Sequence, residues 1–375
     1  MTLRLAAADL ALALAELAPR HHVDLVGAAP LAGPAPHAET WRRWLDDGLH
    51  GGLDYLERTR EERADPRRRN PEARSMLVFA QRYADGWPDE DGDGWLAGVS
   101  RYARGRDYHD VLKDAVRGLL ADLRARWPDL VAYPAVDTAP YLERDWAAAA
   151  HLGFVGRNTC LIHEALGSAL VLAVAPSGVE LTGLDAAPRP LYEVAPRGRL
   201  PRLGTDRCGT CTRCLDACPT GAIVAPRVVD AGQCVSTWTI EWQGRAPADR
   251  RAEQGAHLFG CDVCQQVCPW NRRALRQAGR RPPPGVAYAA LPEHAGLDLA
   301  DLIVMDAETF RGRFRRTPLW RQHPEGLRRN ALVVAANTGR TDLLPLIDAR
   351  AVDDPDPGVR EVAAWAAARL QEEAT

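Results

Sequence analysis

Eight of the nine cysteines fall between Cys208 and Cys268, and their spacing carries the most specific chemistry in the sequence. Cys208-Gly-Thr-Cys211-Thr-Arg-Cys214-Leu-Asp-Ala-Cys218-Pro219 sets three thiols at successive two-residue gaps and a fourth after three, just ahead of a proline. Cys234 follows alone, and then Cys261-Asp-Val-Cys264-Gln-Gln-Val-Cys268-Pro269. A cubane [4Fe-4S] cluster needs four thiolates at the corners of a tetrahedron; three on one tight loop can hold three irons, and the fourth ligand must come from elsewhere. The two groups predict two clusters. Zinc sites normally use separated Cys-x-x-Cys pairs and disulfides are rare in a reducing compartment, so both are poorer readings of this spacing.

The Cys-Pro endings fix the expected sharing. In two-cluster ferredoxins the cysteine before the proline ligates the other cluster. The sets are therefore Cys208, Cys211, Cys214 and Cys268 for one site, and Cys218, Cys234, Cys261 and Cys264 for the other. Two adjacent clusters make a short electron wire without specifying what is reduced. The ninth cysteine, Cys160, stands three residues before His163. A nucleophile and base can be imagined there, but a lone thiol is far more often a small buried apolar side chain.

These residues need a scaffold. A chain of 375 residues allows two or three domains, and 46% hydrophobic with 26% charged residues excludes a wholly disordered or fibrous protein. Val23 to Gly27, Ser75 to Ala80 and Ser168 to Ala175 are apolar runs of strand length, and Leu130 to Val136 reads as a strand that delivers Asp137 at its end. From Tyr108 to Trp127, Leu112, Val116, Leu119, Leu120 and Leu123 line one face of a long helix. Asp137-Thr138-Ala139-Pro140 carries helix-start chemistry, with Asp137 or Thr138 as cap, for a helix running through Ala150. Proline, glycine and arginine between Ser177 and Leu203 mark a linker, and Pro282-Pro283-Pro284 a second break. Beyond it, Gly326 to Asn337, Leu343 to Arg350 and Pro357 to Gln371 read as helices of one to two HEAT-type units, or as a plain helical cap. The expected architecture is an α/β region over 1–200, a ferredoxin-like two-cluster region over 201–285, and a small all-α, HEAT-like region over 286–375.

The first twenty residues imitate an export signal, but Asp9 and Glu16 interrupt the apolar run, and no stretch is apolar enough to span a membrane. The cytoplasm is the expected location. The net charge of -3 hides a lopsided distribution. Asp85, Asp89, Glu90, Asp91 and Asp93 crowd one loop, while Arg311, Arg313, Arg315, Arg316, Arg321, Arg328 and Arg329 face a single acid, Glu325, in their stretch. Such a basic run is either a phosphate-binding surface or a solvated helix face.

Taken together, the chain resembles the epoxyqueuosine reductases, cobalamin-dependent iron-sulfur enzymes of queuosine biosynthesis in tRNA. The resemblance covers nearly the whole chain. Beside the cysteines it is carried by His50-Gly-Gly-Leu-Asp-Tyr-Leu56, Arg63 with Asp65-Pro66, Ala73-Arg-Ser75, Gly105-Arg-Asp-Tyr-His-Asp110, Val136-Asp-Thr-Ala-Pro140, Gly153-Phe-Val-Gly-Arg-Asn158 and Cys234-Val-Ser-Thr-Trp-Thr-Ile-Glu241. It implies an N-terminal region that binds cobalamin, electrons passed from two clusters to cobalt, and reduction of an epoxide on the wobble nucleoside to an alkene. It implies a proton-donating Asp137, and cobalamin contacts from Arg63, Ser100, Asp137, Asn158, Leu161 and Ser236. Burial beside a corrin would raise the pKa of Asp137 and keep its proton. The chain departs from the family where Phe154-Val-Gly-Arg-Asn158 replaces Trp-Ile-Gly-Lys-Asn, and where Ala173-Val174 replaces a Gly-Glu. The free-cobalamin signature D-x-H-x-x-G is absent, since Asp107-Tyr-His109 continues to Leu112; this agrees with the base-off cobalamin that the resemblance implies. The implied partners are tRNA, through an unstacked anticodon base, and an unidentified electron donor; a monomer is expected. Reductive dehalogenation of small organohalides would fit the same cofactors but leaves the arginines without a role. A purely electron-carrying protein would leave the long α/β region unexplained.

Overall fold

Ser75–Arg82 is buried at every position. The reason is its place in a four-stranded sheet, between Leu25–Pro30 and Leu170–Ser177, with Tyr192–Glu193 on the outer side of Leu25–Pro30. All three ladders are antiparallel. Successive side chains point to opposite faces, and both faces are covered, so the strands read as continuous apolar runs. Leu77, Phe79, Ala173 and Ala175 meet the helices Ala7–Leu17 and Tyr108–Arg126. Met76, Val78, Ala80 and Val174 meet Trp146 and Ala147 of the helix Glu143–Ala149. Ala173 and Val174 are therefore both fully buried core residues. The computed structural model describes residues 2–85, 94–184, 190–194, 207–280, 283–294 and 296–373. Asp89, Glu90, Asp91 and Asp93 of the acidic loop, much of the 177–203 linker, and Arg281 and Pro282 lie outside the described residues.

The long helix follows its apolar spacing: Leu112, Val116, Leu119, Leu120 and Leu123 are its buried residues, and the Asp107 carboxylate caps it by accepting the His109 N–H. The segment leading to Asp137 differs from the expected strand. It touches the sheet edge through two bridges only, Ala132 to Ser177 and Ala135 to Val174. The expected cap at Asp137 or Thr138 is also absent, since the next helix starts at Glu143, with Leu142 before it and no side-chain cap. Asp137 instead holds a left-handed backbone (φ 56°) in a tight turn closed by Thr138 N–H to Val136 C=O.

At the C-terminal end, His323–Asn337 is buried from Gly326 through Ala336 and packs with Leu299–Val304 and Pro357–Glu373, which in turn packs on Leu344–Asp353. This helical core also takes in Trp95, Val99, Ala103, Leu258 and Phe259. It is thereby continuous with the segments on either side of Ser100 and Cys261. Among the described residues no helix is long and apolar enough to cross a membrane.

Candidate active site

Three elements bring polar groups to Asp137. The start of the long helix supplies Tyr108, whose hydroxyl donates to Asp137 Oδ2 at 2.7 Å, and His109, whose Nε2 lies 3.3 Å from the same oxygen. The start of the following helix supplies Glu143, whose Oε1 accepts the Asp137 backbone N–H at 2.7 Å. Arg321, from the C-terminal region, donates to Asp107 Oδ2 at 2.8 Å and lies 3.0 Å from His109 Nδ1. Asp107 itself approaches His109 Nδ1 at 2.8 Å. The Asp137 side chain is 60% exposed, yet burial is the largest influence on its titration. Both hold for a group in an open-sided recess, with solvent on one side and protein packed around the other. Tyr55 is of the same kind: 38% exposed, with its phenol raised to about 12 mainly by burial and then by Glu241.

The chain's own groups set the charge of this recess. Burial does push Asp137 upward, but the hydrogen bonds from His109 and Tyr108 outweigh it and hold the carboxyl below its ordinary value. The proton is kept next door: burial, followed by the Asp137 charge, pushes Glu143 up to about 8. For His109 burial works against the charged form, but hydrogen bonds to Asp107 and Asp137 prevail and raise it. Glu241 is raised by burial and then by Asp137. Arg63 faces the same recess; its Nε donates to Thr59 Oγ1 at 3.0 Å and its guanidinium lies 5.9 Å from the centre of the Tyr55 ring. At neutral pH the recess thus sets an ionised Asp137 beside a protonated Glu143.

The remaining residues expected here line the side toward the cysteines. Ser100 is buried against Gly260, where a Cβ would come within 2.3 Å of the serine Oγ. The Ser236 backbone N–H bonds the Cys234 thiol. Asn158 Nδ2 donates to the Cys264 carbonyl at 3.3 Å, and Arg157 Nη1 to the Cys211 carbonyl at 3.2 Å. Leu161 is buried in the short strand Leu161–Ile162. Phe154 packs edge-on to Trp270, 5.6 Å away, beside Cys208 and Cys268. The turn Gly153–Asn158 thus touches both cysteine groups at once.

No disulfide joins the nine cysteines. Apart from Cys160, which acts on Cys234, Cys264 and Cys268, their mutual influence divides them into two groups. Cys214 feels Cys208 and Cys211, and Cys268 feels Cys208. Cys234 feels Cys218, Cys261 feels Cys234 and Cys218, and Cys264 feels Cys261 and Cys234. Among the described residues no three of the His, Cys, Asp or Glu side chains converge as ligands of a single metal ion. Cys160 hydrogen-bonds Cys264, while His163 Nδ1 accepts the Ala165 and Leu166 N–H groups, so the Cys160 and His163 side chains do not pair.

The arginine run separates by burial. Arg328 is buried against Asp354 at 3.2 Å, and Arg329 against Asp356 at 2.7 Å and the Gln243 carbonyl. These two hold the helical core together and are unavailable to phosphate. Arg313 donates to the Glu293 carbonyl. Arg311, Arg315 and Arg316 are exposed, and Arg321 is exposed but tied to Asp107.

Residues 63–138, which include Asp137, match the family model described as epoxyqueuosine reductase QueG, and residues 207–271, which include all eight clustered cysteines, match that of a 4Fe-4S double cluster binding domain. The epoxyqueuosine reductase of Cyclobacterium marinum is 35% identical over 82% of this chain and 91% of its own. That of Gloeobacter violaceus is 37% identical over 83% and 90%. A crystal structure of an epoxyqueuosine reductase with an epoxyqueuosine-modified tRNA-Tyr stem loop superposes with a TM-score of 0.80 at 28% identity, covering 97% of this chain and 91% of that one. The likeness runs through the Asp137 recess and the cysteine groups alike: the chain belongs to the epoxyqueuosine reductase family.

Proposed function

We propose that this chain reduces epoxyqueuosine to queuosine at the wobble position of tRNA, the last step of queuosine biosynthesis. It acts as a cytoplasmic monomer fed by an external electron donor. Its working parts are a cobalamin-binding region over 1–200, a two-cluster region over 201–285 and a HEAT-like region over 286–375. The observation that carries the reading is the join between recess and cysteines. Tyr102 packs edge-on to Tyr108, 5.6 Å away, and the neighbouring Arg101 N–H donates at 2.8 Å to Asp262 Oδ2, between Cys261 and Cys264, so the reacting recess and one cysteine group share a wall.

The donor chemistry fits the cofactors. Soft thiolates in two sets of four suit two [4Fe-4S] clusters, with Cys208, Cys211, Cys214 and Cys268 holding one and Cys218, Cys234, Cys261 and Cys264 the other. The exposed Asp137 carboxylate faces open space against which a cofactor can lie, and Arg63, Ser100, Asp137, Asn158, Leu161 and Ser236 would hold base-off cobalamin. When bound, clusters and cobalamin supply the two electrons that turn the epoxide into an alkene.

The chain's own residues manage the oxygen, which leaves as water after gaining two protons. Asp137 Oδ2 is occupied by Tyr108 and His109, which aims the other carboxylate oxygen away from them. His109, whose charged form is favoured by its hydrogen bonds to Asp107 and Asp137, can pass a proton to Asp137 and through it to the oxygen. Glu143 keeps a second proton within the same turn and fixes the Asp137 backbone. The deciding experiment is anaerobic reconstitution followed by incubation with an epoxyqueuosine-containing stem loop, read by mass spectrometry as the loss of one oxygen. A chain that retains cobalamin but leaves this RNA unchanged overturns the reading, and one that retains no cobalamin is reduced to an electron carrier.

A further inference from the structure

Trp320 is the one exposed tryptophan among the described residues, at 39%. Its indole is stacked on the buried Phe310, with centroids 5.6 Å apart and planes 23° from parallel. A ring held from below by a core phenylalanine is a rigid platform, and its indole N–H makes no hydrogen bond within the described residues. The surroundings are cationic. Arg311, Arg315 and Arg316 are exposed without an acidic partner, and no acid occurs between Arg311 and Arg321.

The platform also stands beside the recess. Arg321, the next residue, donates to Asp107 and reaches His109, which lies 3.3 Å from Asp137. The Arg316 carbonyl accepts the Asp107 N–H at 2.8 Å. The turn carrying Trp320 is thereby clamped at both ends to the start of the helix that presents Tyr108 and His109.

We propose that Trp320 is a stacking platform for an unpaired base of the anticodon loop, next to the nucleotide that enters the recess, with Arg315 and Arg316 on the flanking phosphates. This rests on the tRNA reading above. The argument is chemical: single-stranded RNA is bound by aromatic faces for its bases and cations for its backbone. An exposed ring with a fixed back face, set among unpaired guanidiniums, meets both needs.

The test compares the reconstituted wild type with Trp320→Phe, Trp320→Leu and Arg315→Gln, using a synthetic anticodon stem loop as probe. Trp320→Leu keeps apolar cover over Phe310 but removes the flat face. It should weaken binding about tenfold while leaving the salt dependence unchanged. Trp320→Phe should stay within a few-fold of wild type. Arg315→Gln should reduce the salt slope by about one. Unaltered cobalamin retention in the variants confirms folding. If Trp320→Leu binds as wild type does, or changes the salt slope as Arg315→Gln does, the platform is refuted while the tRNA reading stands. If the wild type itself neither binds nor converts the stem loop, both fall together.

Discussion

The backbone N–H of Asp137 donates to Glu143 Oε1 at 2.7 Å, so the acid that keeps its proton also fixes the turn of the acid that has lost it. The pairing arises because the two carboxyls cannot both ionise cheaply in one recess. His109 and Tyr108 settle which one does, by donating to Asp137 alone.

Glu143 should therefore leave a signature in stability. Its value is 4.5 when unfolded and about 8 in the fold. Between these the folded state binds more protons, so this group's contribution falls as pH rises from about 4.5 to 8 and levels off beyond. Glu143→Gln keeps an oxygen for the Asp137 N–H but cannot ionise. It should be more stable than wild type above about pH 8, by roughly 1–3 kcal/mol after discounting for solvent screening, and differ little below about pH 5. Apparent Tm values of the two holoproteins at both ends of this range check it; parallel curves would place the raised acid elsewhere.

Asp137→Asn retains size and hydrogen bonding but has no acidic proton to give. Turnover should fall by roughly 10²–10⁴ with cobalamin and iron content unchanged. Turnover near wild type in this variant would remove Asp137 from the proton path.

Much of this site was legible before any fold was known, for a physical reason. Three of a cluster's four ligands can lie on one loop, so the spacing of Cys208, Cys211 and Cys214, followed by Cys218-Pro219, announces itself along the chain. The roles of Glu143, Tyr108 and His109 are not local. Tyr108 and His109 sat inside the Gly105 to Asp110 motif, and Glu143 lies six residues after Asp137, but only the tertiary approach shows which carboxyl ionises. The cap predicted at Asp137 is absent because the helix starts only at Glu143, after a turn the local sequence does not announce. Arg328 and Arg329 were misread as surface because a charge run does not say which face it occupies. The apolar residues that surround them, from Leu327 to Ala336, were the available signal that the helix is buried all round.

The two cysteine groups predict separable losses. Reconstituted wild type should hold about eight irons per chain, and Cys211→Ser or Cys264→Ser about four each, with different clusters missing by their spectra. Cys160→Ser should keep both. Stoichiometric zinc in place of iron, or loss of the same cluster in both variants, would contradict the assignment.

The arginines of the C-terminal region should fall into two classes, because burial decides what a guanidinium can do. Arg328 meets Asp354, whose side chain is fully buried. Arg328→Met would leave that carboxylate with Arg350 alone, 3.5 Å away, at a cost of up to about 3–5 kcal/mol in stability. Arg315 and Arg316 carry no such burden, and reversing both to Glu should change stability by less than about 1 kcal/mol. The same reversal places two negative charges where phosphates would lie, so tRNA affinity should drop and its salt dependence flatten, with both clusters and cobalamin retained. Thermal melts and RNA titrations at several salt concentrations separate the classes. If Arg315→Glu with Arg316→Glu leaves affinity and salt slope as they were, this surface is a solvated face. The basic groups Arg67 to Arg69 and Arg272 to Arg281 then become the phosphate-binding candidates.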